Sequence, residues 1–154
     1  MVTYHLMTED EKRVISAWHY RGEYAIYDLP PFEEQKEKGI ALMNPARAKN
    51  YFSYYDGDML IGFTNILEEE NEVFIGIGVN PNICGKGYGQ RILKAVAGIT
   101  DRLYPSKREY LEVREWNKRA VRCYEKAGFK IEGEAFEQET SIGAGKFYRM
   151  TRSK

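Results

Sequence analysis

Residues 84–96 read CGKGYGQRILKAV, with Gly85, Gly87 and Gly89 directly ahead of an amphipathic run. Glycine loses more backbone entropy on folding than any other residue, so such alternation is costly unless the chain turns sharply there or something approaches its backbone. A helix opening in such a loop presents N–H groups without intrahelical acceptors, and its dipole is positive at that end; both suit a phosphate or another anion. The same glycines also suit a plain strand-to-helix turn. Register excludes two familiar phosphate loops. A Walker loop needs Gly-Lys followed by Ser or Thr, whereas Lys86 is followed by Gly87. A dinucleotide fingerprint needs glycine where Gln90 or Ile92 stands. What remains is a compact G-x-G-x-G loop that starts a helix.

Around this loop the pattern is mixed β/α. In VFIGIGV, Val73, Ile75, Ile77 and Val79 alternate onto one face and leave Phe74, Gly76 and Gly78 on the other, so something is expected to lie along this strand. Past the loop, Ile92, Leu93, Val96, Ile99 and Leu103 carry helical spacing, stopped by Pro105. EYLEVREW reads as a strand with Leu111 and Val113 opposite Tyr110, Glu112, Arg114 and Trp116. Asn117 caps a helix that Gly128 ends, and FKIEGEAFEQ with GKFYRMTR forms a last hairpin. Nearer the start, TYHLM predicts a strand, and Thr8 with Glu11 predicts a capping box for a helix whose stripe is Val14, Ile15 and Trp18. Pro30 and Pro31 open a helical PFEEQKEKGIALM, and Asp56-Gly57 and EEENE mark turns between strands.

At 154 residues, with no repeat or linker, a single domain over 1–154 is the simplest reading. Its 23 basic and 23 acidic side chains cancel, so there is no electrostatic footprint for nucleic acid or an anionic membrane. No apolar stretch is long enough to span a bilayer and the first residues do not resemble a signal peptide, so a cytoplasmic protein is expected. Cys84 and Cys123 form no C-x-x-C, and His5 and His19 lie far from both, so no metal site is expected.

ICGKGYGQRILKAV, followed after one strand by NKRAVRCYEKAGFKIEGE, resembles the GNAT superfamily of acetyl-coenzyme A-dependent N-acetyltransferases. The likeness rests on two motifs in order: the glycine loop, and N-x-x-A-x-x-x-Y-x-x-x-G-F on Asn117, Ala120, Tyr124, Gly128 and Phe129. It implies an α/β fold with a mixed, largely antiparallel central sheet, splayed between its fourth and fifth strands, and helices on both faces. It implies acetyl-CoA as cosubstrate, a small-molecule or peptide amine as acceptor, and a possible homodimer. By the resemblance, main-chain N–H groups of Cys84, Gly85, Lys86, Gly87, Tyr88, Gly89 and Gln90 cradle the pyrophosphate. The strand edge at Ile77 and Val79 pairs with the pantetheine arm, and Asn117 and Tyr124 also touch the cofactor. Cys84 stands where the family usually has Arg or Gln; a main-chain cradle survives that change, a side-chain contact does not.

Acetylating an amine needs a base, because an aliphatic ammonium has a pKa of about 10.4 and an α-ammonium about 8. It also needs a donor for the developing oxyanion and a proton for the departing thiolate. Tyr124 is the natural acid, since a phenol of pKa about 10 can protonate a thiolate whose acid is near 8.5; the alternative is that it packs with Ala120 and Ala127. Glu112 is the base candidate, because LEVREWN resembles the LEVR strand of the ribosomal-protein N-terminal acetyltransferases. Glu72 ranks below it, one residue out of register. The Val79 N–H is the expected oxyanion donor. Cys84 beside a helix start could instead accept acetyl, and Cys123 reads as packing. Trp18, Tyr20, Tyr24, Tyr27 and Phe32 suit either an acceptor pocket or the core. Glu68 to Glu70 suit either a cationic acceptor or a solvated hairpin end. A non-catalytic acyl-CoA sensor is the rival reading, and a structural interaction domain the third.

Overall fold

The computed structural model describes residues 1–153. The elements run β1 (Val2–Leu6), α1 (Glu9–Ser16), α2 (Phe32–Lys38), β2 (Tyr51–Asp56), β3 (Met59–Glu68), β4 (Glu72–Val79) and α3 (Tyr88–Leu103). They continue with β5 (Arg108–Arg114), α4 (Lys118–Lys126), β6 (Lys130–Ile131), β7 (Phe136–Thr140) and β8 (Gly143–Arg152). Hydrogen-bonded strands follow the order β1-β2-β3-β4-β5-β8-β6, with β7 on β8. β4 and β5 are parallel, whereas β1–β2, β2–β3, β5–β8, β6–β8 and β7–β8 are antiparallel. The parallel ladder joins Glu72–Phe74 to Arg108–Tyr110. That is the mixed, largely antiparallel sheet that the resemblance implies.

Contacts group the chain into two compact units: residues 1–65 with 77–84, and residues 66–76 with everything from Gly85 onward. In the first unit, α1 begins as predicted: Thr8 Oγ1 accepts the Glu11 N–H at 3.2 Å and the Glu11 carboxylate accepts the Thr8 N–H at 2.9 Å. The helix stops at Ser16, however, and Val14 is 52 % exposed. The inward face is Glu11, Ile15 and Ser16 instead, because Glu11 turns inward to meet His5 Nε2 at 2.7 Å and the Tyr55 hydroxyl at 2.5 Å. Burial alone would raise the Glu11 carboxyl, but hydrogen bonds from Tyr55, the Thr8 N–H and His5 outweigh it and bring the pKa down to about 2.

The segment after α1 is held by side chains rather than ladders. Gln35 is buried, donates to Ser16 Oγ at 2.8 Å and the Pro30 carbonyl at 2.7 Å, and accepts the Leu42 N–H at 3.1 Å. α2 ends sooner than PFEEQKEKGIALM predicts, because Gly39 takes φ +63 and the chain resumes as a short 3-10 turn. Met7, Ile15, Leu42 and Tyr51 form a core against Trp18, Leu29, Leu60 and Phe63.

In the second unit, Ile92, Leu93, Val96 and Ile99 of α3 are fully buried, while Leu103, the last helical residue, is 48 % exposed. β5 is covered on both faces: Leu111 and Val113 are buried as predicted, but so are Tyr110 and Arg114. A buried ionic knot ties these elements. Arg152 donates to Glu109 at 2.7 Å and to the carbonyls of Leu93 and Ala127 at 3.0 and 2.9 Å, while Thr100 Oγ1 donates to the other Glu109 oxygen at 3.1 Å. Satisfying every partner is what makes such a buried pair tolerable. The expected long strand FKIEGEAFEQ divides into β6 and β7 around Gly133, whose φ is +74.

Candidate active site

The glycine loop of the second unit behaves as its residues require. Gly85 and Gly87 both take φ +83, a conformation side chains rarely adopt, and open space lies where a Cβ would stand on each. Gly87 caps α3 without any side-chain hydrogen bond. The Arg91 N–H donates to the Gly87 carbonyl at 3.3 Å, and the N–H groups ahead of it in the first turn have no intrahelical acceptors. An open, uncapped, glycine-lined helix start fits a diphosphate. Beside it, Gln90, Arg91, Lys94, Lys126 and Arg152 line a groove of about 390 Å³. Arg91 stacks on the Tyr88 ring at 5.0 Å, and Lys86 is exposed.

α4 carries the second motif. Asn117 is buried and its side-chain oxygen accepts the Ala120 N–H at 3.1 Å, so it caps the helix. Tyr124 is half-buried, and its carbonyl accepts the Phe129 N–H at 3.0 Å in the turn closed by Gly128 at φ +100. Burial pushes the Cys123 thiol up despite nearby Lys126, as befits a packing residue.

The two base candidates differ. Glu112 is exposed on β5 and accepts one bond, from Gln138 Nε2 at 3.1 Å. Glu72 is committed to ion pairs with Arg149 and with Arg108 Nε at 3.0 Å. The acidic run is an exposed hairpin end, two members of which also make contacts: Glu68 pairs with Lys107 at 2.7 Å, and the Glu69 carboxylate accepts the Tyr110 hydroxyl, 2.8 Å from each oxygen. Burial, then the Glu69 bond and charge, then Glu112, hold the Tyr110 phenol above its ordinary range. Nothing in the sequence advertised the Glu69–Tyr110 contact, which spans 41 residues.

The first unit holds Ile77, Val79 and Cys84. The space left by Gly78 is taken by the Phe63 ring, whose Cε1 lies 2.3 Å from an added Cβ; what lies along that face of the strand is therefore a side chain. The Tyr20 hydroxyl donates to the Val79 carbonyl at 2.7 Å. Cys84 Sγ lies 3.5 Å from the Asn80 carbonyl. Of the aromatic set, Trp18 and Phe32 pack in the interior, whereas Tyr27 is exposed. Among the described residues no cluster of three His, Cys, Asp or Glu could hold a metal, and no helix is long and apolar enough to cross a membrane.

A mostly antiparallel sheet with one parallel pair, β4 and β5, and a glycine-lined helix start match what the sequence motifs led us to expect. Residues 13–129 match the model of the Acetyltransferase (GNAT) family, and the chain belongs to that family. It is an acetyl-CoA-dependent N-acetyltransferase. The spermine/spermidine N(1)-acetyltransferase of Bacillus subtilis (strain 168) is 36 % identical over 126 residues, covering 71 % of this chain and 82 % of that one. The crystal structure of spermidine N-acetyltransferase from Vibrio cholerae in complex with CoA and spermine shares the fold at TM-score 0.78 and 21 % identity, covering 97 % and 94 % of the two chains. The ribosomal-protein-S18-alanine N-acetyltransferase from Escherichia coli does so at TM-score 0.67 and 18 % identity, covering 99 % and 93 %.

Proposed function

We propose that this enzyme acetylates a primary amine of an aliphatic polyamine. The observation that carries the reading is the 36 % identity to a spermine/spermidine N(1)-acetyltransferase over 126 residues. The second unit adds support. Glu69 and Glu112 are exposed beside Tyr110, on whose ring Arg149 also stacks, and offer acidic groups that an ammonium can meet.

Acetyl-CoA supplies the acetyl thioester. In this reading the N–H groups from Cys84 to Gln90, with those of Tyr88, Gly89 and Gln90 at the helix start, bind the pyrophosphate, and Lys86 adds charge beside it. Arg91, Lys94 and Lys126 suit the further phosphate on the ribose. Ile77 and Val79 offer their strand edge to the pantetheine arm, and the Val79 N–H steadies the charge that develops on the carbonyl oxygen. Glu112 takes the ammonium proton, directly or through a water, because Glu72 is already bound by two arginines. Tyr124 returns a proton to the departing thiolate, and Asn117 keeps α4 anchored beneath it.

Thiol release from acetyl-CoA across spermidine, spermine, putrescine, aminoglycosides and N-terminal peptides tests this. Polyamines are expected to give the highest kcat/KM. Tyr124→Phe should lower kcat about 100-fold or more, and Glu112→Gln about tenfold or more at neutral pH. Preference for a peptide N-terminus would overturn the acceptor assignment, and full activity of Glu112→Gln would overturn the base.

A further inference from the structure

Tyr20 belongs to no motif, yet its hydroxyl reaches a carbonyl 59 residues away, at the last residue of β4. The bond matters because of where that carbonyl points. A trans peptide directs its C=O and N–H to opposite sides. The Asn80 N–H donates to the Ile61 carbonyl of β3 at 2.8 Å, so the Val79 carbonyl faces away from β3. In an extended strand the N–H and C=O of one residue share a side. The Val79 N–H therefore faces the same way, along the edge where the Tyr20 hydroxyl sits.

The peptide between Val79 and Asn80 is thus gripped from both sides, by Tyr20 on its oxygen and Ile61 on its nitrogen. Asn80 tightens the grip: its Nδ2 donates to the Leu60 carbonyl and its Oδ1 accepts the Asn82 N–H, both at 3.0 Å. Tyr20 is itself fixed. Asp28 Oδ1 accepts the Tyr20 N–H at 2.8 Å while Oδ2 lies 3.0 Å from His19 Nδ1.

We infer that Tyr20 is a positioning residue for acetyl transfer: through the Val79 carbonyl it fixes the direction of the Val79 N–H, with Asp28 holding Tyr20 in place. The inference rests on the proposed role of the Val79 N–H. The Val79 N–H belongs to the preceding peptide, so Tyr20 acts on it indirectly: holding the Val79–Asn80 peptide limits how far the backbone can turn about Val79, and an oxyanion donor is effective only when it is already aimed.

Tyr20→Phe removes the hydroxyl and keeps the ring. The expected result is a fall in kcat of about tenfold, the size of one neutral hydrogen bond, with the Kd for CoA by calorimetry unchanged within about twofold. Asp28→Asn weakens the support while leaving the Tyr20 phenol intact, so it should give a smaller loss in kcat with the same unchanged Kd. Adding Asp28→Asn to Tyr20→Phe should cost little more, because both act on one element. Unchanged kcat in Tyr20→Phe, or a loss expressed wholly in KM, overturns the role of Tyr20 while wild-type turnover stands. A wild-type chain that releases thiol with no amine would instead sink the proposed reaction and this inference together.

Discussion

Replacing Glu11 with Gln isolates a charge whose environment is fully defined. The carboxyl is lowered from 4.5 to about 2 because hydrogen bonds from Tyr55, Thr8 and His5 outweigh its burial. That difference of about 2.5 pH units corresponds to about 3 kcal/mol at about 1.4 kcal/mol per unit. His5 is half exposed, so solvent screening reduces the figure to about 2 kcal/mol. Because the folded carboxyl titrates below the unfolded one, the stabilisation is complete above about pH 4.5 and is lost as pH falls toward 2. At pH 7, Glu11→Gln should lower Tm by about 4–8 °C. Urea unfolding of both proteins at pH 7, 5, 4, 3 and 2.5 should show a constant gap down to pH 5 that closes below it. Tyr55→Phe removes one donor and raises the folded pKa, so in that background the gap at pH 7 should be smaller and its closing complete at a higher pH. A gap that persists undiminished at pH 2.5, or that is absent at pH 7, would refute the charge-based account of how α1 is anchored.

Gly78→Ala should destabilise the protein by about 1–3 kcal/mol through overpacking, since its Cβ would meet Phe63 Cε1 at 2.3 Å; thermal melts check this, and Phe63→Leu in the same background should recover part of the loss. Acetyl-CoA lacking its ribose 3′-phosphate should bind about tenfold more weakly if the groove of Arg91, Lys94 and Lys126 reads that phosphate. In that case Lys94→Met with Lys126→Met abolishes the preference, and equal KM values for the two donors in wild type would count against the groove.

Where the sequence was legible, local chemistry and tertiary packing demanded the same thing. The capping box at Thr8 and Glu11, the buried face Ile92–Leu93–Val96–Ile99 and the Asn117 cap all follow from groups within a few residues of one another. Val14 failed because the inward position it was expected to fill belongs to Glu11, an acidic residue whose partners on β1 and β2 are invisible to periodicity. The region between α1 and β2 stayed unreadable for a related reason. Its order comes from Gln35, Asp28 and Tyr20 bonding across loops, and such contacts leave no spacing to detect.

The candidate site divides along the same line. The loop's backbone was readable, because φ +83 at positions 85 and 87 is a conformation side chains rarely adopt and α3 starts without a side-chain cap. Side-chain chemistry was readable only as far as a motif carried it. Glu112 and Glu72 looked alike as strand glutamates, and what separates them is a pair of arginines from distant positions, Arg108 and Arg149, that pair with Glu72 and with Glu132 but form no salt bridge to Glu112 among the described residues. A carboxylate so occupied must give up ion pairs before it can take a proton, whereas Glu112 gives up a single amide bond. The ordering of the two bases therefore depends on partners rather than on register. A variant where Gln138 is replaced by Arg would tie up Glu112 as well and leave neither carboxylate free, so turnover should fall at neutral pH, measurable as a kcat that recovers only at higher pH, where more of the amine is already neutral.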